Sequence, residues 1–261
     1  MTAGFILYEQ DGGIVTLTMN NPATMNALSG EPETRSMEEA CQRIDADLSV
    51  RCVILTGAGY AFCSGGHVKD LLAKQGLGEG SAHDIQNRYR NSVQRMTMAL
   101  YRLQVPTIAA VNGPAYGAGC DIATMCDMRI ASTRATFAES FVKLGLVAGD
   151  GGSWLLPRAI GMSRAAEMTF TAEPIDALTA RDWGLVSRVV EPDQLMGEAR
   201  ALAGRVAVHP GTALRMSKRL LREGQRTGLE TLLEMTAAYQ AIAHHTVEHD
   251  EAMHRHFGRN A

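Results

Sequence analysis

Two glycine-rich segments, each placed directly after a strand-like run, constrain this chain more than any other feature: AFCSGGHVKD at 61–70 and VNGPAYGAGCDIA at 111–123. Ahead of the first, Val53, Ile54 and Leu55 form an apolar run that turns at 57–59. It then reaches Ser64-Gly65-Gly66, where missing side chains let a ligand come close to the main chain. Ahead of the second, 107–111 reads as a buried strand, and Gly117-Ala118-Gly119 opens a helix whose first N–H groups lack an internal partner. Such N–H groups favour developing negative charge. Together the segments offer two main-chain N–H groups to one oxyanion, whereas 64–66 alone reads as a plain tight turn.

Composition narrows the classes. At 261 residues the chain suits one domain, or one domain with a small appendage, and is long enough to bury a sizeable core. A formal net charge of −3 gives no electrostatic footprint for nucleic acid. Apolar runs such as 105–111 are too short to span a membrane, and residues 1–10 carry neither a basic region nor a long apolar stretch. A soluble, cytoplasmic protein with no membrane partner is expected. Cys41, Cys52, Cys63, Cys120 and Cys126 form no C-x-x-C pair and leave one over, which fits reduced core thiols better than disulfides or zinc.

Strand and helix patterns alternate through the first two thirds. Runs at 6–9 and 14–19 flank Asp11-Gly12-Gly13 and predict a hairpin, followed by a helix over 32–48 and a strand at 52–56. A glycine-containing loop at 71–80 fits an active-site cover or an idle surface connection, and a long helix is predicted over 82–103. Strands at 107–111, 128–131 and 136–138 bracket a helix at 118–125, which argues for a parallel or mixed sheet flanked by helices. Beyond Pro174 strand signals fade except at 185–190, and helices are predicted over 177–183, 192–208, 212–223 and 229–256. The last places Leu229, Leu232, Leu233, Thr236, Tyr239, Ile242 and Ala243 in an apolar stripe, the usual mark of a core face.

Other motifs carry less. His245-Thr246-Val247-Glu248-His249 has the H-x-x-E-H spacing of a zinc site, but only twelve residues follow it to supply a third ligand, so surface histidines and no metal are expected. Gly113, Gly117 and Gly119 do not make G-x-G-x-x-G, and no phosphate-binding P-loop occurs.

Three stretches in order, AFCSGGH, AVNGPAYGAGCD and GGSWLLPR at 151–158, resemble the crotonase superfamily, the enoyl-CoA hydratase/isomerase family, along nearly the whole chain. The resemblance implies an α/β fold with a crotonase-like spiral ββα core over 1–191 and a helical C-terminal trimerisation region over 192–261. It implies a homotrimer or dimer of trimers acting on acyl-CoA, with coenzyme A as part of the substrate and no bound cofactor. By position, the N–H groups of Gly66 and Ala118 form the oxyanion hole. Ser64, Gly65, Gly66, His67 and Val68 clasp the CoA, and Ala27 contacts it near the thioester. Lys69 fits a phosphate partner or a plain surface lysine, and Arg255 or Arg259 fits a neighbouring subunit's CoA.

Proton transfer needs a carboxylate beside the reacting carbons. Asp121, three residues after Ala118, stands where family hydratases usually carry Glu; a helix-capping role is the plainer alternative. The family's second Glu falls on Phe141. Glu139 lies two residues earlier, where strand alternation points it to the same side as Phe141 at a different depth. Asp150, in a GDGG turn, matches a loop that carries an Asp in some isomerases and carbon–carbon hydrolases of the superfamily, or is a local Asx-turn residue. His67 departs from the family's more frequent Asp. Phe141, Trp154 and the 71–80 loop are expected to line the acyl pocket. The implied reaction is 2-enoyl-CoA hydration or double-bond isomerisation, with carbon–carbon hydrolysis or decarboxylation as the alternative. A nucleic-acid-binding protein on the same fold is the reading of another class, opposed by the missing basic stripe.

Overall fold

The computed structural model describes residues 4–258. β1 (Ile6–Asp11) and β2 (Ile14–Met19) form the expected antiparallel hairpin, turning at Gly12 with φ +54°. From β2 the sheet continues in parallel through β3 (Cys52–Gly57), β4 (Thr107–Val111), β6 (Met128–Ser132) and β9 (Arg188–Val190). A second, smaller sheet joins β5 (Ala115–Tyr116), β7 (Thr136–Ala138) and β8 (Ile175–Asp176). Every residue of β4 is buried, because helices cover both faces of the main sheet and such strands read as continuous apolar runs.

One cover is α1 (Glu31–Ala46), whose Met37, Cys41 and Ile44 recur at helical spacing and are buried. On the other face Leu195, Ala199 and Ala203 of α9 (Leu195–Ala207) pack on Ile54, Ile108 and Ile130. Asp127, just before β6, ties α10 (Gly211–Glu223) to the sheet by accepting from Lys218 Nζ at 2.7 Å and from Arg222 at 2.9 Å. Lys218 Nζ also donates to Val105 O, so this buried pair leaves little hydrogen-bonding capacity unmet.

Several expectations shift. The predicted helix over 82–103 is two helices, α3 (Ala82–Asn91) and α4 (Val93–Arg102), broken at Ser92 with φ −131° and ψ −97°. α4 buries Val93, Met96 and Leu100, whereas α3 buries nothing, so packing favours ending one helix and starting another. The loop at 71–80 follows α2 (Val68–Leu72) and includes a 3₁₀ turn at Gly76–Gly78. α5 (Ala118–Met125) and α8 (Ala177–Trp183) lie where expected. α6 (Gly152–Ile160) and α7 (Met162–Thr171) went unpredicted.

The last predicted helix also divides, into α11 (Leu229–His244) and α12 (Val247–Phe257), with Thr246 capping α12 by accepting from His249 N at 3.2 Å. No residue of α11 is buried, and Leu229, Leu233 and Ile242 are exposed, so its apolar stripe is not a core face of this chain. Glu248, the acid of the H-x-x-E-H motif, accepts from Gly211 N and Thr212 N and pairs with Arg51 at 2.9 Å, acting as a cap for α10. Arg255 donates to Val208 O, and Arg259 lies outside the described residues.

What positions the site is a backbone seam between the two glycine segments. Phe62 N and Cys63 N donate to Pro114 O at 3.0 and 3.1 Å, and Tyr116 N donates to Cys63 O at 3.0 Å. A Cβ on Gly113 would stand 1.8 Å from Tyr60 O, and one on Gly119 would stand 2.0 Å from Cys63 O. Asn26 fastens the seam from one side, its Nδ2 donating to Ala58 O, Ala61 O and Phe62 O. Asn112 does so from the other, donating to Gly59 O and Ala61 O and accepting from Gly57 N.

Gly119→Ala is therefore expected to cost at least ~3 kcal/mol, because the clash is with backbone that cannot yield. Gly197→Ala, on α9 with nothing within 4 Å of its Cβ position, should stabilise by about 0.5–1 kcal/mol. Urea unfolding of both variants checks the pair, and equal effects would refute the seam as the constraint.

Candidate active site

A cavity of about 550 Å³ opens where the seam meets the N-terminus of α5. Its wall includes Ala27, Ser64, Gly65, Gly66, His67, Val68, Gly117, Ala118, Phe141 and Asp150, so the structure gathers most of the expected site residues around one space. Gly65 takes φ +83°, and a Cβ there would lie 3.3 Å from Ala118 N, which shows how closely the two segments approach. Neighbouring amides are occupied: His67 N donates to Leu28 O and Gly117 N to Ala138 O. Among the described residues, Gly66 N and Ala118 N have no hydrogen-bond acceptor. Both border the cavity, and Ala118 N belongs to the first turn of α5, where the helix dipole adds to its pull on an anion.

Asp121 is placed differently from its expected position beside Ala118. It is fully buried and absent from the cavity wall. Its carboxyl lies against the start of α6, where a Cβ on Gly152 would be 2.0 Å from Oδ1, and neither of its oxygens has a hydrogen-bond partner among the described residues. Beside it sits the carboxyl of Glu139, which is 2% exposed and also off the wall. Burial first, then the adjacent Glu139, drives the Asp121 carboxyl far above its ordinary range. Burial likewise raises Glu139 to about 7.

Asp150 is the carboxyl that reaches the cavity from this cluster. It is 4% exposed, its Oδ1 has no hydrogen-bond partner among the described residues, and burial followed by the charge of Asp121 pushes it up to about 7. No Asx turn engages that oxygen. The main chain around it is pinned: Thr97 Oγ1 donates to Asp150 O at 3.2 Å and Gln94 to Gly149 O at 3.4 Å. Asp70 also lines the cavity, but pairs with His67 Nδ1 at 2.8 Å.

The Phe141 ring covers Gly117, its Cζ 3.5 Å from that residue's Cβ position. Tyr89 of α3 flanks the Asp150 loop, so close to Gly149 that a Cβ there would meet its ring at 2.6 Å. Sequence reasoning missed Tyr89, since α3 reads as a polar helix and nothing local links it to residue 149. Lys69, Leu71, Gln75 and Leu77 join the wall, so the 71–80 region borders the site. Trp154, expected there too, lies elsewhere: it packs edge-on against Tyr101 at 5.8 Å beneath Arg158. Among the described residues no His, Cys, Asp or Glu cluster is arranged to hold a metal ion, and no helix is long and apolar enough to cross a membrane.

A carboxyl whose pKa rises on folding binds its proton more tightly in the folded state. Its stabilising contribution is present below pH 4 and is lost as pH rises through about 7. Asp150→Asn removes that loss, so the variant should gain about 3 kcal/mol relative to the parent between pH 5 and pH 8, at about 1.4 kcal/mol per unit of pKa. Urea unfolding at the two pH values measures it; a difference independent of pH would refute the buried, unpaired state of Asp150.

A family model described as Enoyl-CoA hydratase/isomerase matches residues 9–260. The 1,2-epoxyphenylacetyl-CoA isomerase of Escherichia coli (strain K12) is 33% identical over 249 residues, covering 95% of this chain and 94% of that one. The short-chain-enoyl-CoA hydratase of Clostridium acetobutylicum is 35% identical, covering 95% and 92%. The crystal structure of an enoyl-CoA hydratase from Mycobacterium smegmatis superposes with a TM-score of 0.90 at 32% identity, covering 98% and 97% of the two chains. The α/β fold with its paired glycine segments, and this agreement along nearly the full length, mean that the chain belongs to the enoyl-CoA hydratase/isomerase family of the crotonase superfamily.

Proposed function

We propose that this protein isomerises the double bond of an enoyl-CoA thioester, with Asp150 as the acid/base and the N–H groups of Gly66 and Ala118 as the oxyanion hole. The observation that carries this reading is Asp150 itself: a buried carboxyl on the cavity wall with a free oxygen, titrating near neutral pH. Asp150 as carboxylate removes a proton from the α-carbon of a 3-enoyl thioester, which the adjacent carbonyl acidifies. The electron pair moves into the carbonyl, and the two N–H groups hold the resulting enolate oxygen. The carboxylic acid so formed returns the proton two carbons along, and the double bond has moved. One carboxyl suffices for both transfers.

Hydration needs a second group on the wall to activate water. The place where family hydratases carry that acid holds the Phe141 ring against Gly117, an apolar surface that excludes water. Ser64, Gly65, His67 and Val68, with Ala27, hold the CoA portion by main-chain contacts along the same wall. The acting form is a cytoplasmic homotrimer or dimer of trimers, in which exposed Leu233, Ile242, Met253 and Phe257 on α11 and α12 are covered. Analytical ultracentrifugation tests the assembly, and a monomer at working concentration would refute it.

Incubating the protein with 2-enoyl- and 3-enoyl-CoA should give a product of unchanged mass with a shifted absorbance spectrum, and deuterium should enter from D₂O. A product heavier by one water, or a smaller acyl fragment, would replace isomerisation with hydration or carbon–carbon cleavage. Asp150→Asn should lower kcat by about 10²–10⁴-fold with KM little changed. Phe141→Glu should bring in measurable water addition; its absence would mean that Phe141 does not decide between the two reactions.

A further inference from the structure

One stretch of chain borders the active-site cavity and is otherwise nearly detached from the molecule. From His67 to Asn91, through α2, the 3₁₀ turn at Gly76–Gly78 and α3, no residue is buried. Its polar contacts are internal. Asp70 pairs with His67, Ser81 caps α3 by accepting from Asp84 N, and Arg88 donates to Gly76 O and Glu79 O. Among the described residues, no hydrogen bond or ion pair joins 68–90 to any residue outside 67–90. Local opening costs little where so little is buried and so few bonds reach the core.

Both ends of the stretch are anchored. It leaves the first glycine segment just after Gly65 and Gly66, and it meets the core again at buried Ser92 and Val93, where α4 begins. Toward the cavity it presents Val68, Leu71, Leu77 and Tyr89. Leu77 packs against the main hydrophobic cluster, and the Tyr89 ring lies against Gly149, beside Asp150. The anchored part of the same wall holds Val93, Phe141, Leu144 and Leu146. Leu144 is 52% and Leu146 37% exposed, so apolar surface runs from the cavity to solvent, while Lys143 between Phe141 and Leu144 is itself exposed.

We infer that residues 68–90 are a lid that closes on the acyl chain of the thioester, with Tyr89 as its specificity-determining contact, so that the protein selects apolar chains long enough to pass Asp150. A ligand shifts a conformational equilibrium only by contacts it makes better in one state. An apolar chain lying against Phe141, Leu144 and Leu146 gives Leu71, Leu77 and Tyr89 the apolar partners that hold the lid down. Tyr89 flanks the turn that carries Asp150, so the carbons just past the reacting ones meet its ring. The CoA portion lies along 64–68, ahead of most of the lid, and supplies no such contact. Closure also excludes water from the reacting carbons.

The lid rests on the reading of the cavity as an acyl-CoA site and is independent of the reaction run there, so its test uses probes with no double bond to move: CoA, butyryl-CoA and octanoyl-CoA. In hydrogen–deuterium exchange of the full chain, amides of 70–90 should exchange at least ~100-fold faster than those of β4 in the free protein. Octanoyl-CoA should slow them about tenfold, butyryl-CoA less, and CoA less than about twofold. In calorimetry, affinity should rise by up to about fourfold per added methylene. Tyr89→Ala, on a helix that buries nothing, should keep the parental urea midpoint and CoA affinity, yet lose about tenfold in octanoyl-CoA affinity; Tyr89→Phe should bind as the parent does. Amides of 70–90 that exchange as slowly as β4 in the free protein, as they would beneath a partner copy, overturn the lid. Equal protection by CoA and octanoyl-CoA also overturns it, and an unchanged octanoyl-CoA affinity in Tyr89→Ala removes Tyr89 as the contact. If none of the three probes binds, the acyl-CoA reading and the lid fall together. Protection as expected without isomerase activity removes the reaction and keeps the lid.

Discussion

Everything at this site depends on two stretches of main chain lying against each other with no side chains between them. Residues 61–66 and 113–119 meet through direct N–H to C=O bonds, and the glycines at 113 and 119 stand where any Cβ would overlap a carbonyl oxygen. That contact sets the separation of Gly66 N and Ala118 N, which no local sequence could set by itself. It also explains why Asn26 and Asn112 are spent on carbonyl groups around 57–62: a seam without side chains has no packing to align it, so hydrogen bonds do so instead.

The carboxyl cluster shows the opposite economy. Asp121, Glu139 and Asp150 are buried with no cation paired to them among the described residues, an arrangement that opposes folding wherever they ionise. The rest of the fold offsets it through a sheet covered on both faces and the Asp127–Lys218–Arg222 network that secures α10. Desolvation is the leading cause of the raised pKa at all three acids, so the same burial that weakens the fold near neutral pH readies Asp150 to exchange a proton there.

Much of the fold was legible because its signals are local. Glycine punctuation and unbroken apolar runs marked β3, β4 and both segments of the seam, and a short glycine turn between two β-rich runs marked the hairpin of β1 and β2. What failed to show was set by distant partners. The direction of the Asp121 carboxyl depends on Gly152, thirty-one residues away. Tyr89 reaches the site from a helix whose sequence is mostly polar, and Trp154 leaves it to pack with Tyr101 and Arg158. α6 and α7 include or adjoin Pro157 and Gly161, residue types that oppose a helix by local propensity, one inside α6 and the other between the two helices. The stripe on α11 is regular, yet periodicity does not say which chain covers it.

The break at Ser92 divides labour between two helices that the sequence runs together. α4 belongs to the core and holds the Asp150 turn through Thr97, so its residues are tied to the folding of the whole domain. α3 buries nothing and yet brings Tyr89 to the cavity wall. Natural variation can therefore rewrite residues 82–91 with little effect on stability. Acyl-chain preference then drifts in one exchangeable segment, while the chemistry beneath it stays under the stricter control of the core.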